Sequence, residues 1–189
     1  MKKIIEKIKK LKILFYFILL LIILPHFLHA SGGYDNGTSI GKGNIGLDLT
    51  WNPFNYWKKG QSYVVMSYGF SQNLDIHGYY STPVKGSDNY YLGIFYQFFN
   101  NERLDLATAI GIRNYIPRNV QHLFFPQILY TFYIIYDIRI GGSFVRIRNI
   151  DDNYKVLGTS ADIGLIVPII KPDKINARIK SIDFTIGAF

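Results

Sequence analysis

The chain has 189 residues, of which 49% are hydrophobic and 16% aromatic, with a formal net charge of +8 and no cysteine. That length suits one domain, at ~100–200 residues per domain, and the missing cysteine excludes a disulfide framework, a thiolate metal site and a cysteine nucleophile. Four histidines are too few for a histidine-rich metal centre, and the basic balance fits a nucleic-acid binder only if the charges gather on a folded surface.

They gather elsewhere. Residues 1–12 (MKKIIEKIKKLK) hold six Lys and one Glu, and the apolar run ILFYFILLLIIL follows to Leu24, ahead of Pro25 and the small residue Ala30. A basic start, a short apolar core and a small residue at the end form a secretory signal peptide. Its twelve apolar residues fall short of the roughly 20 that span a bilayer as a helix. Cleavage after Ala30 leaves 159 residues with fifteen Lys and Arg against twelve Asp and Glu, a net +3. Most of the basicity is therefore an export device. The expected organisation is a signal peptide (1–30), a flexible glycine-containing segment (31–43) and one folded domain (44–189).

Beyond residue 43, segments of period two follow one another. Ile45, Leu47, Leu49 and Trp51 alternate with Gly46, Asp48 and Thr50; Val64, Met66, Tyr68 and Phe70 with Val65, Ser67 and Gly69. Leu74, Ile76 and Tyr80 oppose Asp75, His77, Tyr79 and Ser81. Tyr90, Leu92, Ile94, Tyr96 and Phe98 face away from Asn89, Gly93 and Gln97, and Leu104, Leu106, Ile110 and Ile112 from Asp105, Ala107, Ala109, Gly111 and Arg113. Further segments lie at Phe124–Tyr136, Ile138–Arg148, Val156–Ile170 and Ser181–Phe189. Such alternation is a strand signal, and no segment fits a helical period better. The apolar phase suits lipid, and the second phase, rich in Gly, Ala, Ser and Asn with scattered charges, suits a crowded polar interior. Short turns at Ser71–Asn73, Asn100–Arg103 and Tyr136-Asp137 alternate with longer polar stretches at Asn52–Gln61, Thr82–Asp88, Asn114–His122 and Asn149–Lys155. This arrangement predicts two aromatic belts, Trp51, Tyr80, Tyr90 and Phe124 at the outer rim and Tyr68, Phe70, Phe98, Phe99 and Tyr136 at the inner one.

With its signal peptide, whole-chain alternation and final Phe189, the mature chain resembles the small outer-membrane β-barrel proteins of bacteria with two membranes. The resemblance implies an all-β, antiparallel, up-and-down transmembrane barrel in the outer membrane, with outer-membrane lipids, lipopolysaccharide and the assembly machinery as partners. It also implies that the terminal aromatic Phe189 is an assembly signal, although here Ile182, Phe184 and Ile186 hold the apolar phase while Phe189 falls in register with Asp183 and Thr185. Bacterial single-chain barrels have an even strand number, so the nine readable segments predict eight strands if Ile45–Trp51 lies outside the barrel. Ten is the alternative, if a short pair is hidden in Lys174–Phe189. A monomer is expected.

Chemistry-bearing residues are few. After export only His77 and His122 remain. Ser81, on the face of His77, lies ~13 Å along the strand, too far for the ~2.6–3.2 Å contact of a general base; Ser67 or Ser160 on another strand is a candidate partner. Some small outer-membrane barrels modify lipid A acyl chains with a histidine, and that likeness makes His77 and His122 the catalytic candidates of an enzymatic alternative. Asp48, Asp75, Asp105, Asp162 and Asp183 share the inward phase with Arg113 and Arg139. Burying them is costly unless they pair, which predicts a paired, plugged lumen. Arg146 and Arg148, near the outer end of their strand, fit either a solvated rim or contact with lipopolysaccharide phosphates. No cofactor, metal or nucleic acid is expected. The expected role is non-enzymatic: envelope structure, surface interaction or limited passage of small solutes. A soluble periplasmic lipocalin-like binder of apolar ligands is the remaining alternative.

Overall fold

A computed structural model describes residues 36–52, 61–83, 88–114, 121–135, 137–170 and 182–188. The candidate signal peptide, Tyr136, Phe189 and the side chain of Trp51 lie outside the described residues. Every described element is a strand: β1 (Ile45–Asn52), β2 (Gln61–Gly69), β3 (Leu74–Pro83), β4 (Asn89–Asn100), β5 (Leu104–Arg113), β6 (Leu123–Ile135), β7 (Ile138–Asn149), β8 (Lys155–Ala161), β9 (Ile163–Ile170) and β10 (Ile182–Ala188). They form one antiparallel up-and-down sheet in chain order, curled into a half-barrel.

β8 and β9 are two halves of one line. Phe144 of β7 lies opposite Ala161 and Gly141 opposite Gly164, so the register is the same on both sides of Asp162. Among the described residues the sheet therefore has nine lines, not the eight expected; the pair considered within Lys174–Phe189 falls largely outside them. The reason is β1: Ile45–Asn52 does not lie outside the sheet but pairs with β2 along its whole length, from Ile45 opposite Tyr68 to Asn52 opposite Gln61. With nine alternating lines, β1 and β10 run in the same direction, and no pairing joins them.

The period-two reading of the sequence becomes two opposed faces. On the convex face Leu47, Phe70, Ile94, Ile110, Ile128, Phe144 and Ile186 are exposed, Phe70 at 63% and Phe144 at 56%. On the concave face Asp105, Thr131 and Ser143 are all 0% exposed. Two small apolar clusters also lie on the concave side, one of Phe95, Ala107, Ala109 and Leu129 and one of Tyr91, Phe125 and Val145. Turn chemistry sets the hairpins. Asn153 and Tyr154 take consecutive positive φ angles of 47° and 57° between β7 and β8, the conformation whose twist matches flanking antiparallel strands. Asp137, at φ 65°, closes the β6–β7 turn.

Candidate functional site in the concave face

Residues 36–44, all but Asn44 within the segment expected to be flexible (31–43), form a strap across the concave face. Gly37 N donates to Thr131 Oγ1 of β6 at 2.9 Å, and Thr38 Oγ1 to Asp105 Oδ2 of β5 at 2.7 Å. Ser39 N donates to Gln97 Oε1 of β4 at 3.1 Å, while Ser39 Oγ and Ile40 N donate to the two oxygens of Asp75 on β3 at 2.8 and 3.0 Å. Gly43 N then donates to Gly69 O of β2 at 2.8 Å. The strap thus visits five adjacent strands in turn. Residues 37–40 carry it from β6 to β3, and a turn over residues 41–44 sets it down on β2, with Gly41 and Gly43 at φ 77° and 76° and Asn44 N donating to Gly41 O at 3.2 Å.

Close approach is what the glycines supply. A Cβ on Gly37 would meet Asp105 O at 2.8 Å and Tyr130 Cα at 2.9 Å, and one on Gly69 would meet Gly41 O at 1.9 Å. Asp75 takes two bonds from the strap and Asp105 one, but Asp105 also accepts from the sheet, from Tyr133 Oη at 2.7 Å and from Asn100 Nδ2 at 2.8 Å. Asp75 and Asp105 have no cationic partner among the described residues; neutral hydroxyls and N–H groups satisfy them instead, as a buried carboxylate requires.

The other inward charges each find a different solution. Arg139 and Asp183 form an ion pair between β7 and β10. Arg113 Nε donates to Asn89 Oδ1 at 3.2 Å, and Thr50 Oγ1 to Asp48 Oδ1 at 2.6 Å. Asp162, buried at the break between β8 and β9, accepts from Ser143 N and, at 2.9 Å, from Ser143 Oγ. On the opposite face of that break Tyr130 Oη donates to Asp162 O at 3.2 Å. An interrupted strand therefore leaves this backbone carbonyl satisfied on the convex side.

Towards the long-loop end the concave face turns aromatic. Tyr91 stacks on Tyr79 at 5.1 Å between centroids and 7° between planes, meets Phe125 edge-on at 6.0 Å, and touches the His77 ring at 5.2 Å. Its own ring lies over Gly93 and Gly111. His77 is directly opposite Ser67 in the β2–β3 register, yet no hydrogen bond joins them, and His77 Nδ1 is buried with no partner among the described residues. The His–Ser arrangement considered from the sequence is not assembled here.

His122 sits outside the sheet, before β6. Its Nδ1 lies 3.0 Å from Asp151 Oδ1, and its backbone N donates to Asp151 Oδ2 at 2.9 Å. A carboxylate only accepts, so Nδ1 carries the hydrogen. These bonds from the His122 backbone and side chain hold Asp151 below the usual carboxylate range. Ile150 N also donates to His122 O at 3.0 Å. The group is a clamp between the start of β6 and the β7–β8 turn. A second exposed carboxylate, Asp88, is held low by hydroxyls of Thr82 and Tyr80.

Of the expected belt residues, Tyr68, Phe70, Phe98 and Phe99 are exposed near the short turns; Tyr80 is exposed, and Tyr90 and Phe124 half-buried, near the long loops. No group of three or more His, Asp or Glu suited to a metal ion occurs among the described residues. Comparisons with protein-family models, with curated proteins and with solved structures give no match to this chain.

Proposed function

We propose that this chain is an exported outer-membrane β-barrel protein whose polar interior is closed by its own N-terminal strap, serving an envelope-structural or surface-interaction role. One observation carries the reading: the distribution of polarity is inverted. Large apolar side chains such as Phe70, Ile94, Ile110 and Phe144 cover the convex face, while Asp75, Asp105, Thr131 and Asp162 are buried on the concave one. Soluble monomers rarely expose contiguous apolar patches beyond a few hundred Å², whereas lipid rewards such a coat. Strand length supports the same reading, since the twelve residues of β4 tilted at about 45° rise roughly 29 Å, enough for an apolar band of about 25 Å.

The strap and the aromatic packing above it favour a filled interior over an open channel, and a catalytic role finds no hydroxyl bonded to His77. The test is fractionation of the expressed full chain. Retention in membranes after carbonate extraction, with a heat-shifted mobility on gels, is the expected result; a fully soluble product without that shift overturns the reading.

A further inference from the structure

Across the convex face the described strand residues are apolar, aromatic, Gly, Ser, Thr or Pro, with two exceptions: Arg146 and Arg148 of β7. Both occupy the outward phase of Phe144, which is 56% exposed, and stand on its long-loop side. Their cross-strand neighbours are equally uncharged. Thr159 lies opposite Arg146, while Phe124 on one side and Val156 on the other lie opposite Arg148. Arg146 makes no ion pair or hydrogen bond among the described residues, and Arg148 donates only to Tyr154 O, at 3.2 Å. The ring of Tyr154 in turn meets Phe124 edge-on at 5.9 Å, so an aromatic pair lies beside Arg148.

Two cations about 7 Å apart along a strand, at one border of a coat that is otherwise uncharged and without acidic partners for them among the described residues, have one chemical complement. It is an anion that arrives with apolar chains attached. Guanidinium groups bind phosphate oxygens in a two-pronged fashion that a lysine does not reproduce. We propose that Arg146 and Arg148 form a docking site for the phosphate headgroup of an anionic membrane lipid, whose acyl chains lie along the coat formed by Phe144, Ile128 and Phe132. The inference rests on the outer-membrane reading above and adds to it a specific place and a specific headgroup chemistry.

The test uses the full mature chain, folded in zwitterionic micelles and titrated with phosphatidylglycerol or phosphatidylcholine. Lipid adducts are counted by native mass spectrometry. The expected result is at least a tenfold preference for phosphatidylglycerol, lost in the double variant Arg146→Gln, Arg148→Gln. It should persist in the control Lys42→Gln, Arg103→Gln, which removes the same charge at exposed positions by the opposite, short-turn end of the sheet. Should the glutamine variant fail to show a heat-shifted mobility, Arg146→Lys with Arg148→Lys keeps the charge and is expected to lose part of the preference. Equal retention of phosphatidylglycerol by the wild type and all arginine variants overturns the site. So does displacement of the bound lipid by millimolar inorganic phosphate, which would make a free anion the ligand. If the chain takes up neither lipid, the outer-membrane reading itself fails, an outcome distinct from uptake of both lipids without preference.

Discussion

Asp105→Asn is the sharpest perturbation of the strap. The wild-type carboxylate is 0% exposed and accepts three hydrogen bonds, from Thr38 Oγ1, Tyr133 Oη and Asn100 Nδ2, at 2.7, 2.7 and 2.8 Å. Asparagine has the same shape but turns one of the two oxygens into a donor, which then faces at least one of these donors. Bonds to an ionised group contribute about 1.5–3 kcal/mol, neutral ones about 0.5–1.5, and a donor left without an acceptor costs about 1–3. Relief of the desolvated charge offsets part of this, and the net loss comes to about 2–4 kcal/mol. Denaturant unfolding of the detergent-folded chain, followed by far-ultraviolet circular dichroism, measures it. Protease susceptibility of residues 36–44 should rise in the same variant. Asp48→Asn is the control, since Asp48 is half-buried and, among the described residues, bonded to Thr50 alone; it should cost under about 1 kcal/mol. An Asp105→Asn chain within about 0.5 kcal/mol of wild type, with the strap still protected, would refute the claim that this carboxylate anchors the strap.

Other outcomes follow from the same geometry. Gly69→Ala should displace the strap, because the added methyl would lie 1.9 Å from Gly41 O; accelerated proteolysis of residues 36–44 is the readout, and unchanged cleavage would count against the contact. Ser143→Ala removes the hydroxyl bond to Asp162 Oδ2 and is expected to lower stability by about 1–2 kcal/mol, measured by the same unfolding assay. The His122–Asp151 clamp should depend on pH in one direction. Asp151 is held below its ordinary value, so the stability it contributes is present above the unfolded carboxylate pKa of about 4 and lost as pH falls through the lower folded value. The protection factor of the Ile150 amide, its exchange rate relative to the intrinsic rate at each pH, should therefore fall only in acid, and titration of Asp151 at or above the ordinary value would contradict the clamp. Ile110→Arg, in the middle of the convex face, should cost about 2–4 kcal/mol in a bilayer and markedly reduce the folded, heat-shifted fraction; an undiminished folded yield would argue against lipid contact there.

The strands and both faces were legible in the sequence because the side-chain period of a strand is two. Val64, Met66 and Tyr68, or Ile94, Tyr96 and Phe98, need no neighbour to reveal their phase. Strand number was less legible. Ile45–Asn52 reads as well for a detached segment as for a paired one, since pairing partners are not written in a single strand. The break at Asp162 is invisible for a related reason: β8 and β9 keep one register, and the bonds of Asp162 to Ser143 and Tyr130 mark the interruption. The strap was missed altogether. Asn36-Gly37-Thr38-Ser39 reads as a flexible opening because its partners are distant in the chain, Thr131 being 94 residues from Gly37. A signal was present nonetheless. The inward phase offers five aspartates against Arg113 and Arg139, so most of its carboxylates needed donors from somewhere other than cations.

Contact between the apolar convex face and lipid can be measured residue by residue in this cysteine-free background. Single substitutions Ile94→Cys, Ile110→Cys and Ile128→Cys mark the convex face, and Thr38→Cys marks the strap within. Each chain, reconstituted in vesicles, would be labelled with a thiol-reactive fluorophore and exposed to spin-labelled lipids. Fluorophores at positions 94, 110 and 128 should be quenched by acyl-chain spin labels, and the one at position 38 should not. Rapid reaction of the three convex positions with an aqueous maleimide in intact vesicles, without quenching by the lipids, would contradict lipid contact.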